Sequence, residues 1–112
     1  GVFSQQPGSC GMDDVVERRR ITKAIAQRCG KRVEVIVGIA GTSMVWACWV
    51  ADFLALPAAY LRAPKEYGQK RIIEGAMTKG RRVVVIVQGQ DVNELVSQLA
   101  AKSVKVLDVN TF

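Results

Sequence analysis

The chain has 112 residues, enough for one domain whose single core buries roughly 65% of the unfolded surface. Its 16 lysines and arginines against 10 acids give a net charge of +6, which favours anionic partners: phosphate, nucleic acid or acidic protein surfaces. There is no histidine, no CxxC among Cys10, Cys29 and Cys48, and no apolar run of the ~20 residues a membrane span needs, which argues against a zinc site, a Cys/His nucleophile and a spanning helix.

Residues 1–11, GVFSQQPGSCG, are rich in Gly, Ser and Gln, so 1–12 read as a flexible lead-in or an expression-derived remnant and 13–112 as one domain. Asp13 or Asp14 caps a helix expected to run to about Cys29, with Val15, Val16, Ile21, Ala24, Ile25 and Cys29 near helical spacing and Gly30 at the stop. VEVIVGI (33–39) is a β-branched run of the kind buried on both faces of a parallel sheet. The turn GTS (41–43) leads into a helix, Met44 to Leu56, that Pro57 stops. AAYLR (58–62) is a second strand. Residues 63–80 are polar, hold Pro64, Gly68, Gly75 and Gly80, and read as a long connection of the sort that forms lids. VVVIV (83–87) is a third strand, and Asp91 to Lys102 a helix with Val92, Leu95, Val96 and Leu99 on one face. VKVLDV (104–109) is the fourth strand. This alternation predicts an α/β domain, a three-layer Rossmann-like parallel sheet with right-handed crossovers.

The helix over 44–56 is apolar on every side except Asp52. A helix apolar all round needs cover on both faces, and one sheet supplies one. Trp46, Trp49 and Phe53 are therefore expected at an interface with a second subunit or another protein, plain core packing being the alternative.

Two stretches go beyond fold class: VEVIVGIAGTSMVWACWVADFLALPAAYLR (33–62) and KEYGQKRIIEGAMTKGRRVVVIV (65–87). Together they resemble the type I phosphoribosyltransferases, orotate phosphoribosyltransferase in particular. The most specific pieces are LP-x2-YLR, KEYG and IEG before a strand of valines, and the likeness extends over residues 33–109. It implies a truncated version of that fold, with 13–112 a single phosphoribosyltransferase-like domain.

The resemblance also implies chemistry at particular places. Ala40, Gly41, Thr42 and Ser43 match the loop that cradles pyrophosphate with backbone N–H groups at a helix N-terminus. Arg62 matches a phosphate-facing arginine, the plainer reading being a strand-end arginine paired with Glu66 or Glu74. Lys65 matches a mobile-loop lysine that stabilises the departing pyrophosphate, and Tyr67 stands in place of a loop histidine. In active members the valine strand runs into two acids that hold ribose hydroxyls and then into a loop that wraps the 5′-phosphate. Here Val87 and Gln88 replace the acids, and GQDVNE (89–94) replaces the loop about two residues short, so Gln88, Gly89, Gln90 and Asp91 form a degenerate donor loop. Asp91 reads as a helix cap, the alternative being a displaced ribose-binding acid.

The expectation is a catalytically inactive domain serving as a structural or assembly subunit, with a residual phosphate or nucleotide pocket and no cofactor or metal. The alternative is a divergent orotate-type enzyme using phosphoribosyl pyrophosphate and Mg²⁺; a third reading is a regulator that binds nucleotide or nucleic acid through its basic face. The expected partners are proteins or a second copy through helix 44–56. Unpaired thiols place the protein inside the cell, with cytoplasm and mitochondrial matrix both fitting.

Overall fold

The computed structural model describes residues 12–39, 41–62, 72–76, 78–87, 96, 97, 99 and 104–111; of 72, 110 and 111 it describes the backbone alone. Helix α1 (Val15–Cys29) begins where the Asp14 carboxylate accepts from Glu17 N–H at 3.1 Å, satisfying a donor the helix itself leaves open, and Gly30 at φ 77° ends it. Strand β1 (Val35–Ile39) is buried at all five positions.

Helix α2 (Thr42–Leu54) starts two residues before the expected Met44. It closes on a Schellman pair: Leu56 N–H donates to Ala51 C=O at 2.9 Å and Ala55 N–H to Asp52 C=O at 3.1 Å. Ala55 takes the left-handed conformation there (φ 56°), a place where glycine is the usual residue.

Strands β2 (Ala58–Arg62), β3 (Ile72–Gly75), β4 (Arg82–Val87) and β5 (Lys105–Thr111) complete a sheet in the order β3-β2-β1-β4-β5. Four strands run parallel, as expected. The fifth, β3, returns antiparallel along β2 with Arg62 opposite Ile72 and Tyr60 opposite Glu74. From sequence alone this segment reads as part of a connection, because four residues ending in glycine carry too little alternation to announce a strand. Between β4 and β5, Val96, Ser97 and Leu99 are helical, within the helix expected over 91–102; the rest of that expectation, like residues 1–11, lies outside the described residues.

The sheet separates two cores. On one face Ile36, Val84 and Ile86 pack with Ile21, Ile25, Trp46 and Val50 of the two helices. On the other, Val35, Val37, Ile39, Leu61, Val83, Val85 and Val87 pack with Leu99 and Val104. Apolar cover on both faces of a mostly parallel sheet explains why β1 and β4 read as unbroken apolar runs. Gly38 sets the spacing of the first layer: a Cβ there would lie 2.7 Å from Ala47 Cβ and 2.8 Å from both Met44 Cα and Ser43 O.

Helix α1 changes the expectation for α2. It lies against the side of α2 that the sheet leaves open, so Trp46 is wholly buried inside the chain and is not available to an outside partner. Trp49 is half-buried and only Phe53 stays largely exposed, at 55%. Among the described residues no helix is long and apolar enough to cross a membrane.

Candidate functional site

In an open α/β sheet, ligands bind beyond the carboxyl ends of the strands where the strand order turns back. Here the chain runs outward from β1 through β2 to β3, then returns to place β4 and β5 on the other side of β1. The turning point is therefore the β1/β4 boundary. Gly38 is level with Ile86 and with Tyr60, and Ile39 with Leu61, so the segments leaving β1, β2 and β4 begin side by side.

The segment leaving β1 enters α2 through Gly41, whose φ of 115° disfavours any side chain. Gly41 C=O accepts the first-turn bond from Met44 N–H at 3.2 Å. Among the described residues no side chain caps this helix start and no acid lies in its first turn. Gly41 and Thr42 are exposed and Ser43 is buried. An uncapped helix start offers backbone N–H groups and the positive end of the helix dipole to an approaching anion. Ala40, the remaining residue of the expected phosphate loop, lies outside the described residues.

Arg62 ends β2. Side chains alternate along a strand, and because Ala59 and Leu61 face the second core, Tyr60 and Arg62 face the α2 side. Arg62 is one position beyond the residue paired with Ile39, which puts it at the same end of the sheet as the Gly41 turn. Its Nε sits 2.8 Å from Glu74 Oε1, and Tyr60 donates to Glu74 Oε2 at 2.7 Å. Glu74 thus holds a cation and a phenol together, and that hydrogen bond, followed by the carboxylate charge, raises the Tyr60 pKa above its ordinary value. Glu74, expected from sequence only as a partner for Arg62, also binds Tyr60, a contact that follows from the antiparallel course of β3.

Among the described residues, the end of β4 carries no side-chain acceptor. Val83 to Val87 are all apolar and buried, and Val87 packs into the second core. Lys65 and Tyr67, like Gln88, Gly89, Gln90 and Asp91, lie outside the described residues. Among the described residues no three Cys, Asp or Glu side chains gather as a metal site would need.

The opposite end of the sheet is pinned by charge. Glu34 accepts from Arg82 N–H at 3.1 Å and from Arg81 Nη1 at 3.3 Å, while Arg82 Nε donates to Arg32 C=O at 2.7 Å. The backbone bond from Arg82 is the first cause that lowers the Glu34 pKa. Four basic residues, Arg32, Lys79, Arg81 and Arg82, thus lie in or beside this end, away from the Gly41 turn. Cys29, the last residue of α1, has its thiol pushed up to about 11, first by burial and then by the Asp108 charge, which keeps it in the thiol form near neutral pH.

The β1 turn, the terminal arginine of β2 and the strand order are those of a type I phosphoribosyltransferase fold. No family model matches it. It is similar to the orotate phosphoribosyltransferase of Listeria innocua, 41% identical over 73 residues, 62% of this chain and 35% of that protein. Among solved structures it resembles orotate phosphoribosyltransferase from Aeropyrum pernix, with a TM-score of 0.74 and 21% identity over 96% of this chain and 65% of that one. It likewise resembles adenine phosphoribosyltransferase from Thermoanaerobacter pseudethanolicus, with a TM-score of 0.75 and 14% identity over 92% of this chain and 71% of that one. More particularly, this is a phosphoribosyltransferase-like domain related in sequence to orotate phosphoribosyltransferases. It spans about a third of the length of the curated relatives it matches.

Proposed function

We propose that this domain binds a phosphate- or pyrophosphate-bearing ligand at the turn into α2, does not transfer phosphoribose, and serves as a component of a larger assembly. One observation carries the reading. The strand that in active relatives of this fold would deliver paired acids to ribose hydroxyls ends in Val87, buried at 0% exposure, followed by Gln88. Losing two charge-assisted hydrogen bonds, each worth roughly 1.5–3 kcal/mol, lowers donor affinity and positioning by several powers of ten. Asp91 and Glu94 nearby in sequence add negative charge where a phosphate would need donors. The Gly41 turn and Arg62 depend on none of those residues, which is why anion binding outlasts catalysis in this reading.

The test is calorimetry with pyrophosphate alongside a turnover assay with phosphoribosyl pyrophosphate, Mg²⁺ and orotate. Pyrophosphate should bind, Arg62→Ala should weaken it about tenfold, as expected for one charge-assisted contact, and turnover should be absent. Glu74→Gln should act in the opposite direction and tighten binding, since it removes a competing carboxylate and frees Arg62 for the anion. A second reading, orotate-type transfer, is favoured by the 41% identity to the Listeria protein. Steady turnover of orotate would establish it and end the first.

A further inference from the structure

Outside the anion site, one surface stands apart. A cleft of about 430 Å³ opens between α1 and α2 on the side away from the sheet. One wall is basic: Arg18, Arg19 and Lys23 of α1. The other is aromatic: Trp49 and Phe53 of α2, with Asp52 beside them. The basic pair Arg19/Lys23 and the aromatic pair Trp49/Phe53 each sit four residues apart, so each forms a stripe along its helix.

The two walls are not equivalent in what they have already committed. Arg18 is spent: its guanidinium lies 4.7 Å from the Trp49 ring centroid and its Nη1 donates to Met12 C=O at 3.2 Å. Trp49 is held in turn by an edge contact to buried Trp46, with ring centroids 5.0 Å apart. These contacts fix the floor. Arg19 and Lys23 are exposed and make no ion pair among the described residues, and Phe53 keeps 55% of its surface in water. Val16, 79% exposed and one turn before Arg19, lengthens the α1 stripe. Val16 to Lys23 then spans roughly 10 Å of helix, longer than a compact small molecule requires.

We propose that this cleft docks an acidic amphipathic segment of a partner protein, laid along the groove with its apolar side chains against Phe53 and Trp49 and its carboxylates against Arg19 and Lys23. Charge complementarity selects that occupant. Three cations against one acid repel a second copy of the same face, and Asp52 on the aromatic wall places the partner's acids on the α1 side. The proposal gives the assembly reading above its partner chemistry and rests on that reading; it does not depend on the anion site.

The test uses the intact chain and a fluorescein-labelled synthetic helix carrying a Leu/Phe stripe flanked by glutamates, with a control helix in which every Glu is Gln. Fluorescence anisotropy should show the acidic helix binding, with a Kd in the range of about 1–100 µM. Arg19→Glu with Lys23→Glu should weaken it at least about tenfold, and Phe53→Ala by several-fold. Arg28→Glu with Lys31→Glu, which makes the same change in net charge elsewhere, should leave it nearly unchanged. All five side chains are exposed, and circular dichroism checks that each variant folds. Equal binding of the Gln helix, equal loss in both double reversals, or self-association through this face without peptide binding would overturn the proposal. Quenching by UMP that is lost in the Arg19/Lys23 variant would also overturn it, because the cleft would then be a small-molecule pocket. Pyrophosphate calorimetry on the same preparations separates the two readings: helix binding without pyrophosphate binding sinks the anion site alone, and the reverse sinks this surface alone.

Discussion

Replacing Gly38 with alanine should be among the most damaging one-carbon changes in the described chain. The added Cβ would stand 2.7 Å from Ala47 Cβ, 2.8 Å from Met44 Cα and 2.8 Å from Ser43 O. Carbon atoms pack at about 3.5–4.0 Å, so each contact is short by roughly 1 Å. Two of the three obstacles are backbone, which no rotamer change can clear. The first turns of α2 must lift from β1, opening the core at Trp46 and Val50. Overpacking of this kind costs about 1–3 kcal/mol, and the rigidity of the obstacle places Gly38→Ala at the upper end. Urea unfolding followed by tryptophan fluorescence measures it. For a domain of this size, 3 kcal/mol is a large part of the stability available. Ala47→Gly should recover part of the loss when combined with Gly38→Ala, although alone it costs about 1 kcal/mol in helix propensity. A Gly38→Ala midpoint within about 0.5 kcal/mol of the parent would show that α2 is not seated on β1 as described. Because the same displacement moves the Gly41 turn, pyrophosphate affinity should fall with it.

Ala55→Gly should stabilise the fold by up to about 1 kcal/mol, read as a rise in thermal midpoint, because Ala55 holds a left-handed C-cap that glycine adopts without a Cβ penalty. Glu34 has a folded pKa below its ordinary 4.5, so its contribution is present above that value and is lost as pH falls through it towards the folded value. Glu34→Gln should therefore flatten the acid limb of a stability–pH profile and leave the neutral region nearly parallel to the parent. The Cys29 thiol, held at about 11, should resist iodoacetamide near neutral pH until denaturant is added, whereas exposed Cys48 should react in the folded protein.

Much of the architecture was legible because β1 and β4 are covered on both faces, and a strand so placed must be apolar at every position. The Asp14 cap and Gly30 stop of α1 could be read for a similarly local reason, since both satisfy groups within a turn of themselves. The short return strand β3 was not legible: its identity depends on β2 lying beside it, and nothing within Ile72–Gly75 specifies that neighbour. The cover for Trp46 was missed because apolarity states that a residue needs burial but not by what. Arg62 could be placed at a strand end from sequence, whereas the geometry of its ion pair with Glu74 required the antiparallel pairing.

The central pair of strands also governs how the molecule comes into being. Glu34 and Arg82, which bond beside the first rung of the β1–β4 ladder, stand 48 residues apart. Neither α1 nor α2 can finish its core until that distant rung forms, since Val84 and Ile86 fill the space beneath them. Closing so large a loop before any reward arrives slows acquisition of the native state relative to a helical bundle of equal size. During emergence from a ribosome, β1 has its apolar surface and one hydrogen-bonding edge unpartnered until β4 follows, and that interval is when this polypeptide is most exposed to misassembly.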